Sequence, residues 1–485
     1  MNLLIILAKV YHKLRIGIHL APTVTVNLHK RVAQNMDKIK HQSVDQTNQL
    51  GFHYFPDTYH YRESDLMTWL PELKTLNAGW LVLQADSDRA IPEPFLSGLQ
   101  QARITPILQF NLPYDPLPDY KGLRTIIEVY AKWGIQYIQF FNRPNQREFW
   151  STPSWAQSDL VDRFLDRFLP LATMANQLGI VPLFPALEPG GSYWDTAFLR
   201  SSLEALQRRN QPQILENLVL SAYAWSHNHP LRWGAGGPER WPATRPYILP
   251  TDSEDQRGFY IFDWYQAIAK AVLQKSCPIM LFGAGSPFSP ERSGNFQRSE
   301  SHNQYLLALL RLIDGETVAD PEKSDHLLEP LSQEVLACNI WLLSAESNSP
   351  YCNQSWYTSV ETPTPIVQMV KEWRANGNQR GIRKSMDATW NSPSAEHPIR
   401  HYLLLPILET GVSEWYLDVI RPYVRRYRPT IGFSFEEAKM AARVTVIGNA
   451  RQISEERLSR LRQAGCQVER ISGDGISIAT QITGR

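Results

Sequence analysis

From Leu50 onward the chain alternates two hydrophobic patterns. One is a short, nearly continuous apolar run, as in "LGFHYF", "GWLVLQAD", "ITPILQFN" and "IQYIQFFN". The other is a longer segment with apolar residues three and four apart, as in "LVDRFLDRFLPLATMANQLG". Runs rich in Ile, Val, Leu and Phe suit strands buried on both faces of a parallel sheet, and the second pattern suits amphipathic helices. Strands are expected at 50–55, 79–86, 104–111, 135–142, 180–188, 218–225, 277–285 and 335–346. Helices are expected at 64–77, 93–102, 121–133, 158–178, 195–208, 259–275, 301–313 and 364–375.

Eight strand–helix units in succession predict an α/β protein built on a (β/α)8 TIM barrel over residues 50–376. A doubly wound open sheet is the competing arrangement. No Gly-x-Gly-x-x-Gly follows any strand, so a dinucleotide site of that fold is not expected.

The flanks differ from this core. Residues 1–49 read as a leader or linker, and 377–398 as a polar linker without periodicity. Residues 399–485 read as a small C-terminal α/β module. Its first part, "IRHYLLLPILETGVSEWYLDVIRPYVRRYRPTIGFS", is expected to be partly helical. "VTVIG" follows as a strand. Ser454 should cap a helix with Leu458 and Leu461 on one face, Gly465 should end it, and "CQVERI" should be the next strand.

Composition narrows the function classes. A formal net charge of +1 over 485 residues gives no electrostatic footprint for nucleic acid. The apolar run Leu3–Ala8 is short and is followed by Lys9, unlike a secretion signal, and no stretch has the length of a membrane span. A soluble protein is expected, cytoplasmic or cell-envelope associated, with an N-terminal anchor as the alternative. The four Cys form no Cys-x-x-Cys pair and have no His at zinc spacing, so neither metal nor cofactor is expected. The chain holds 15 Trp and 20 Tyr, rings with an apolar face and a polar edge that suit pyranose binding as well as a large core.

In a barrel the chemistry sits on the loops after the strands. Those loops are long and aromatic here, notably "PDTYHYRE" after the first strand and "SHNHPLRWGAGGPERWPATRPY" after the sixth. Candidate ligand-binding residues are His53, Tyr54, Asp57, Asn142, Arg143, Asn145, Glu148, Tyr223, Trp225 and Trp233. Glu188, in "PALEPGG", is the candidate catalytic carboxylate, because Pro189-Gly190-Gly191 turns the chain sharply beside it.

The order of strands and two motif positions resemble the retaining glycoside hydrolases built on (β/α)8 barrels. That resemblance implies an acid/base Glu after strand four, in Asn-Glu-Pro, and a nucleophilic Glu ending strand seven, before Phe-Gly. Matched on Asn142-x-Pro144 and Phe282-Gly283, the two positions carry Arg143 and Leu281. Arg cannot shuttle a proton at enzymatic pH, and Leu has no nucleophilic atom. The implied protein binds a carbohydrate or cell-envelope polymer without retaining-glycosidase activity. The alternatives are an active hydrolase using Glu188 with another cleft carboxylate, and a non-catalytic scaffold. The C-terminal segment resembles half of a bacterial cell wall-binding repeat, through Val446-Ile447-Gly448, Ile453-Ser454, Gly465, Val468-Glu469-Arg470-Ile471-Ser472-Gly473 and Ala479-Thr480.

Overall fold

The computed structural model describes residues 48–116, 119–285, 300–321, 327–375, 397–406, 420, 421, 423, 424, 427, 429–450 and 452–472. The expected leader, the polar linker and the last residues of the repeat-like segment (Gly473, Ala479, Thr480) lie outside the described residues, apart from a few at the edges of the first two. The chain divides into two compact units between Glu372 and Trp373.

The first unit is the barrel. Its strands are β1 (Leu50–His53), β2 (Trp80–Ala85), β3 (Thr105–Phe110), β4 (Tyr137–Gln139), β5 (Val181–Pro182), β6 (Leu220–Trp225), β7 (Ile279–Gly285) and β8 (Val335–Ile340). They pair in parallel in the order β5-β4-β3-β2-β1-β8-β7-β6. Two parallel bridges, Leu183 with Val219 and Leu187 with Ala222, join the ends of that row and close the barrel between β5 and β6. All eight strands therefore end on the same side, as in the (β/α)8 architecture. Two-residue β5 is far shorter than the apolar run 180–188 suggests; beyond Pro182 the run pairs with the β6 side at isolated bridges.

The intervening helices include α1 (Glu63–Thr75), α2 (Glu93–Gln101), α3 (Tyr120–Lys132), α4 (Leu160–Gln177), α5 (Asp195–Arg208), α6 (Ile261–Leu273) and α7 (Glu300–Ile313), with a last helix over 365–375. α4 shows why the spacing was legible. Phe164, Leu165, Phe168, Leu171, Ala172 and Ala175 recur three and four apart and are buried, while its other face is polar. The barrel interior is packed by inward-facing side chains: Trp80 and Val82 of β2, Ile107 of β3, Tyr137 of β4, Met280 and Phe282 of β7 and Ala337 of β8.

The second unit holds β9 (Ile399–Leu404), β10 (Thr430–Gly432), β11 (Ala441–Ile447) and β12 (Gln467–Ile471), all parallel in the order β10-β9-β11-β12. Within the segment expected to be partly helical, 399–404 is a central strand, while 420, 421, 423, 424 and 427 are helical. Its residues alternate between two cores: Tyr402 and Leu404 pack with Leu458 and Leu461, whereas Leu403 and Leu405 pack with Ile420 and Tyr423. A strand buried on both faces reads as one short apolar run, which periodicity alone does not separate from a buried helix. Ser454 caps helix 455–463, its hydroxyl accepting the Arg457 N–H, and Gly465 follows that helix at φ +89°.

Candidate functional site

A cavity of ≈ 470 Å³ opens at the C-terminal ends of the barrel strands. Its floor includes two of three glutamines that form one layer of the barrel. Gln84, Gln109 and Gln139 stand at one register level on adjacent β2, β3 and β4. Gln84 and Gln109 line the cavity. A chain of hydrogen bonds runs from them across the floor. Asn111 Nδ2 donates to Gln84 Oε1 (2.7 Å), and Gln84 Nε2 to Gln109 Oε1 (2.8 Å). Gln109 Nε2 donates to the Tyr223 hydroxyl (3.5 Å), which donates to Asn142 Oδ1 (2.8 Å). Linked amides of this kind present both donors and acceptors at fixed positions.

The wall formed after β4 and β5 is charged. Arg143 takes a left-handed φ of +50°, and its N–H donates to Ala186 O (3.0 Å), which ties the end of β4 to β5. Its Nη1 donates to Glu188 Oε2 at 3.2 Å, and its guanidinium lies 5.2 Å from the centre of the Tyr223 ring. Burial pushes the Glu188 carboxyl above its ordinary range, and the Arg143 guanidinium pulls it back in part. Glu188 is the single carboxylate lining the cavity among the described residues.

The wall formed by β6 and β7 is apolar. Trp225 stacks on Tyr223 with ring centres 5.0 Å apart at 5°, and Trp341 meets Trp225 edge-on at 5.5 Å. Trp225 lies directly over Gly283, where a Cβ would come within 2.3 Å of the indole; φ there is +58°. Behind this wall His53 Nε2 accepts the Gly283 N–H at 3.0 Å. Burial, helped by Arg143, lowers the His53 imidazole to about 3, so it stays neutral.

Of the candidates read from the sequence, Asn142, Arg143, Glu188, Tyr223 and Trp225 line the cavity. The others are placed elsewhere. Tyr54 is wholly buried against Phe55 and Phe95. Trp233 stacks on His229 (3.9 Å) and donates its indole N–H to Asp255, bracing the long loop after β6. Asp57 accepts from Tyr59 N–H (2.9 Å) and pairs with His60 (2.8 Å). Glu148 is exposed on a short 3-10 turn. Asn145 is fully buried and holds the Glu188 backbone from both sides, donating to its carbonyl and accepting its N–H, both at 2.8 Å. Leu281 is wholly buried, and strand parity sets it opposite Met280 and Phe282, which face the barrel interior. The interior residue at the end of β7 is therefore Phe282, not Leu281.

His227, in the long aromatic loop expected to border the cleft, also lines it; Pro56, Asn111, Asn228, Tyr351 and Gln354, besides Gln84, Gln109 and Trp341, were not among the named candidates. The glutamines did leave a signal. "LQAD", "LQFN" and "IQFF" each place one Gln near the end of an otherwise apolar strand. A polar residue repeated at one level of successive buried strands marks a polar layer in the barrel.

No protein-family model matches the chain, and comparison with curated proteins finds no match. Among solved structures it is similar to a monomeric β-xylosidase from Caulobacter crescentus CB15, at 10% identity and TM-score 0.45 over 68% of each chain. It is also similar to a β-glucuronidase from Ruminococcus gnavus, at 11% identity and TM-score 0.37 over 67% of this chain and 49% of that one. A β-galactosidase from Rahnella sp. R3 matches at 10% identity and TM-score 0.32, over 87% of this chain and 70% of that one. These neighbours are glycoside hydrolases; at such identities and TM-scores the likeness carries no information on chemistry.

Among the described residues no group of His, Cys, Asp and Glu is placed to hold a metal ion, and no helix is long and apolar enough to cross a membrane.

Proposed function

We propose that the barrel binds a neutral carbohydrate in this cleft and does not act as a retaining glycosidase. The observation that carries the reading is that Glu188, held by Arg143, is the single carboxylate lining the cleft among the described residues. Retaining hydrolysis needs two carboxyls facing each other across the scissile bond. At the end of β7 Phe282 is buried and Trp225 covers Gly283, so no carboxylate is presented there among the described residues. Arg143 has its charge answered within the protein, so a uronate would have to compete with Glu188. A neutral sugar needs only what the cleft offers: ring faces on Trp225 and Trp341, and an array of amide donors and acceptors.

A second reading is favoured by one observation. Burial raises the Glu188 carboxyl, the direction a general acid requires. An active hydrolase would then use Glu188 with a partner other than a lining carboxylate.

Calorimetric titration with neutral glycans, run beside turnover of aryl glycosides, separates the two. Under the binding reading the wild type binds and turns over nothing, and Trp341→Ala weakens binding by about 1–3 kcal/mol. Turnover by the wild type that Glu188→Gln abolishes would replace that reading with the hydrolase.

A further inference from the structure

Beyond the cleft, an aromatic pair, one ring half-buried and one exposed, continues from the Glu188 wall. Two residues past Glu188, Gly190 lies beneath Arg257; a Cβ there would come within 2.7 Å of the Arg257 Cδ. The Arg257 guanidinium is anchored by Asp255, a fully buried carboxylate at 2.6 Å, and lies 5.4 Å from the centre of the Trp194 ring. Trp194 is half-buried at the start of α5. Against it stands Tyr247, with ring centres 5.1 Å apart and its hydroxyl accepting the Trp194 N–H at 2.8 Å.

Tyr247 sits in a tight turn of the long loop after β6, closed by the bridge between Arg245 and Ile248, with φ at +65°. The turn presents its ring to solvent, 61% exposed. A ring that served only to brace the loop would be covered, as Trp233 partly is. Buried Asp195 joins the two loops beneath this surface. It accepts the Gly190 N–H (2.9 Å), the Gln256 Nε2 (2.6 Å) and the Tyr265 hydroxyl (3.0 Å). The platform is thus stitched to the same Pro-Gly-Gly turn that presents Glu188 to the cleft.

We propose that Trp194, Tyr247 and Arg257 form an outer platform for a second part of the ligand, which is therefore a neutral oligosaccharide and not a single sugar. This rests on the cleft binding carbohydrate. One sugar unit occupies the cleft, and the glycan then crosses the Gly190 turn and lays a further ring on the Trp194–Tyr247 pair. Such stacking accepts any pyranose face. The guanidinium of Arg257 adds donors: its Nε and Nη2 are committed to Asp255, while Nη1 has no hydrogen-bond partner among the described residues.

The test uses the full chain and β-linked glucose, xylose, mannose and galactose oligosaccharides of two and six units, titrated calorimetrically. The expected result is that a hexasaccharide binds at least tenfold more tightly than its disaccharide. Tyr247→Ala and Trp194→Ala should each remove that gain while leaving the disaccharide affinity unchanged. Tyr247 lies at an exposed tip, so its variant guards against misfolding of the Trp194 variant. If disaccharide and hexasaccharide bind equally, or if Tyr247→Ala leaves the hexasaccharide advantage intact, the platform is overturned and the cleft reading stands. If the wild type binds none of the panel, the cleft reading falls and the platform with it.

Discussion

The two strand ends that face each other across the cleft were built on opposite principles. At β4 and β5 the chain puts Arg143 and Glu188 in contact at 3.2 Å, partly open to water. At β7 it packs Trp225 onto Gly283 and places no carboxylate at the surface of the cleft among the described residues. The first wall can make directed hydrogen bonds but has its charge satisfied internally. The second offers mainly aromatic ring faces and no carboxylate among the described residues. A site with charge on one side only is suited to holding a sugar and poorly suited to attacking it from both faces.

The most severe way to break this contrast is to force a charge into the β7 wall. Leu281→Glu should destabilise the protein by about 3–5 kcal/mol, because the new carboxylate would lie buried behind the barrel wall without a partner. Urea unfolding measures it. A folded variant with new glycosidase turnover would show that Leu281 faces the cleft after all.

Gly283→Ala comes next. The added Cβ meets the Trp225 ring at 2.3 Å, and the residue must also hold φ at +58°. Overpacking and left-handed backbone together should cost about 2–4 kcal/mol. A loss below 0.5 kcal/mol in the same unfolding assay would mean that Trp225 moves freely, and would remove it as a fixed sugar platform.

Acid sharpens the comparison, because the two walls respond to pH with opposite sign. His53, behind the β7 wall, has its pKa lowered from 6.5 to about 3. The unfolded chain takes up that proton as pH falls below 6.5 while the folded protein does not. The contribution of His53 is therefore full above 6.5 and is lost on acidification, by about 1.4 kcal/mol per pH unit, down to about 3. Asp195, under the β5 turn, has its carboxyl raised by burial from 3.8 to about 6. Here the folded protein binds the proton first. Its contribution is full below 3.8 and is lost as pH rises through about 6. Between pH 6 and 4, His53→Gln should therefore gain stability relative to the wild type, and Asp195→Asn should lose it. Unfolding midpoints across that range decide the matter; parallel curves for all three proteins would refute both assignments.

The smallest effect belongs to Glu188→Gln. Arg143 is 43% exposed, so solvent screens the pair and the loss of stability should stay within about 1 kcal/mol. A much larger loss would mean that the polar wall is a structural keystone and not a binding surface.

Much of the barrel was written in local pattern. Strands buried on both faces and helices with one apolar stripe, as in α4, carry their own periods, and eight repeats of the pair leave few ways to pack. The run at 402–405 is buried on both faces in the same way, yet it was read within a longer, partly helical segment, because a short apolar run by itself does not separate a buried strand from a buried helix. Residue type and position in the chain pointed to Arg143, Glu188, Tyr223 and Trp225. They did not reveal that Arg143 and Glu188 would meet, because the two lie 45 positions apart and are joined only by the closure of β4 onto β5. Nor could a motif match decide between Leu281 and Phe282. A one-residue shift along a strand exchanges inside for outside, and only the paired barrel fixes which side is which. Tyr54 and Trp233 make the same point: an aromatic ring past a strand end or in a loop is drawn by the hydrophobic effect to whatever surface the fold leaves beside it. For Tyr54 that was Phe95, and for Trp233 it was the interior of its own loop.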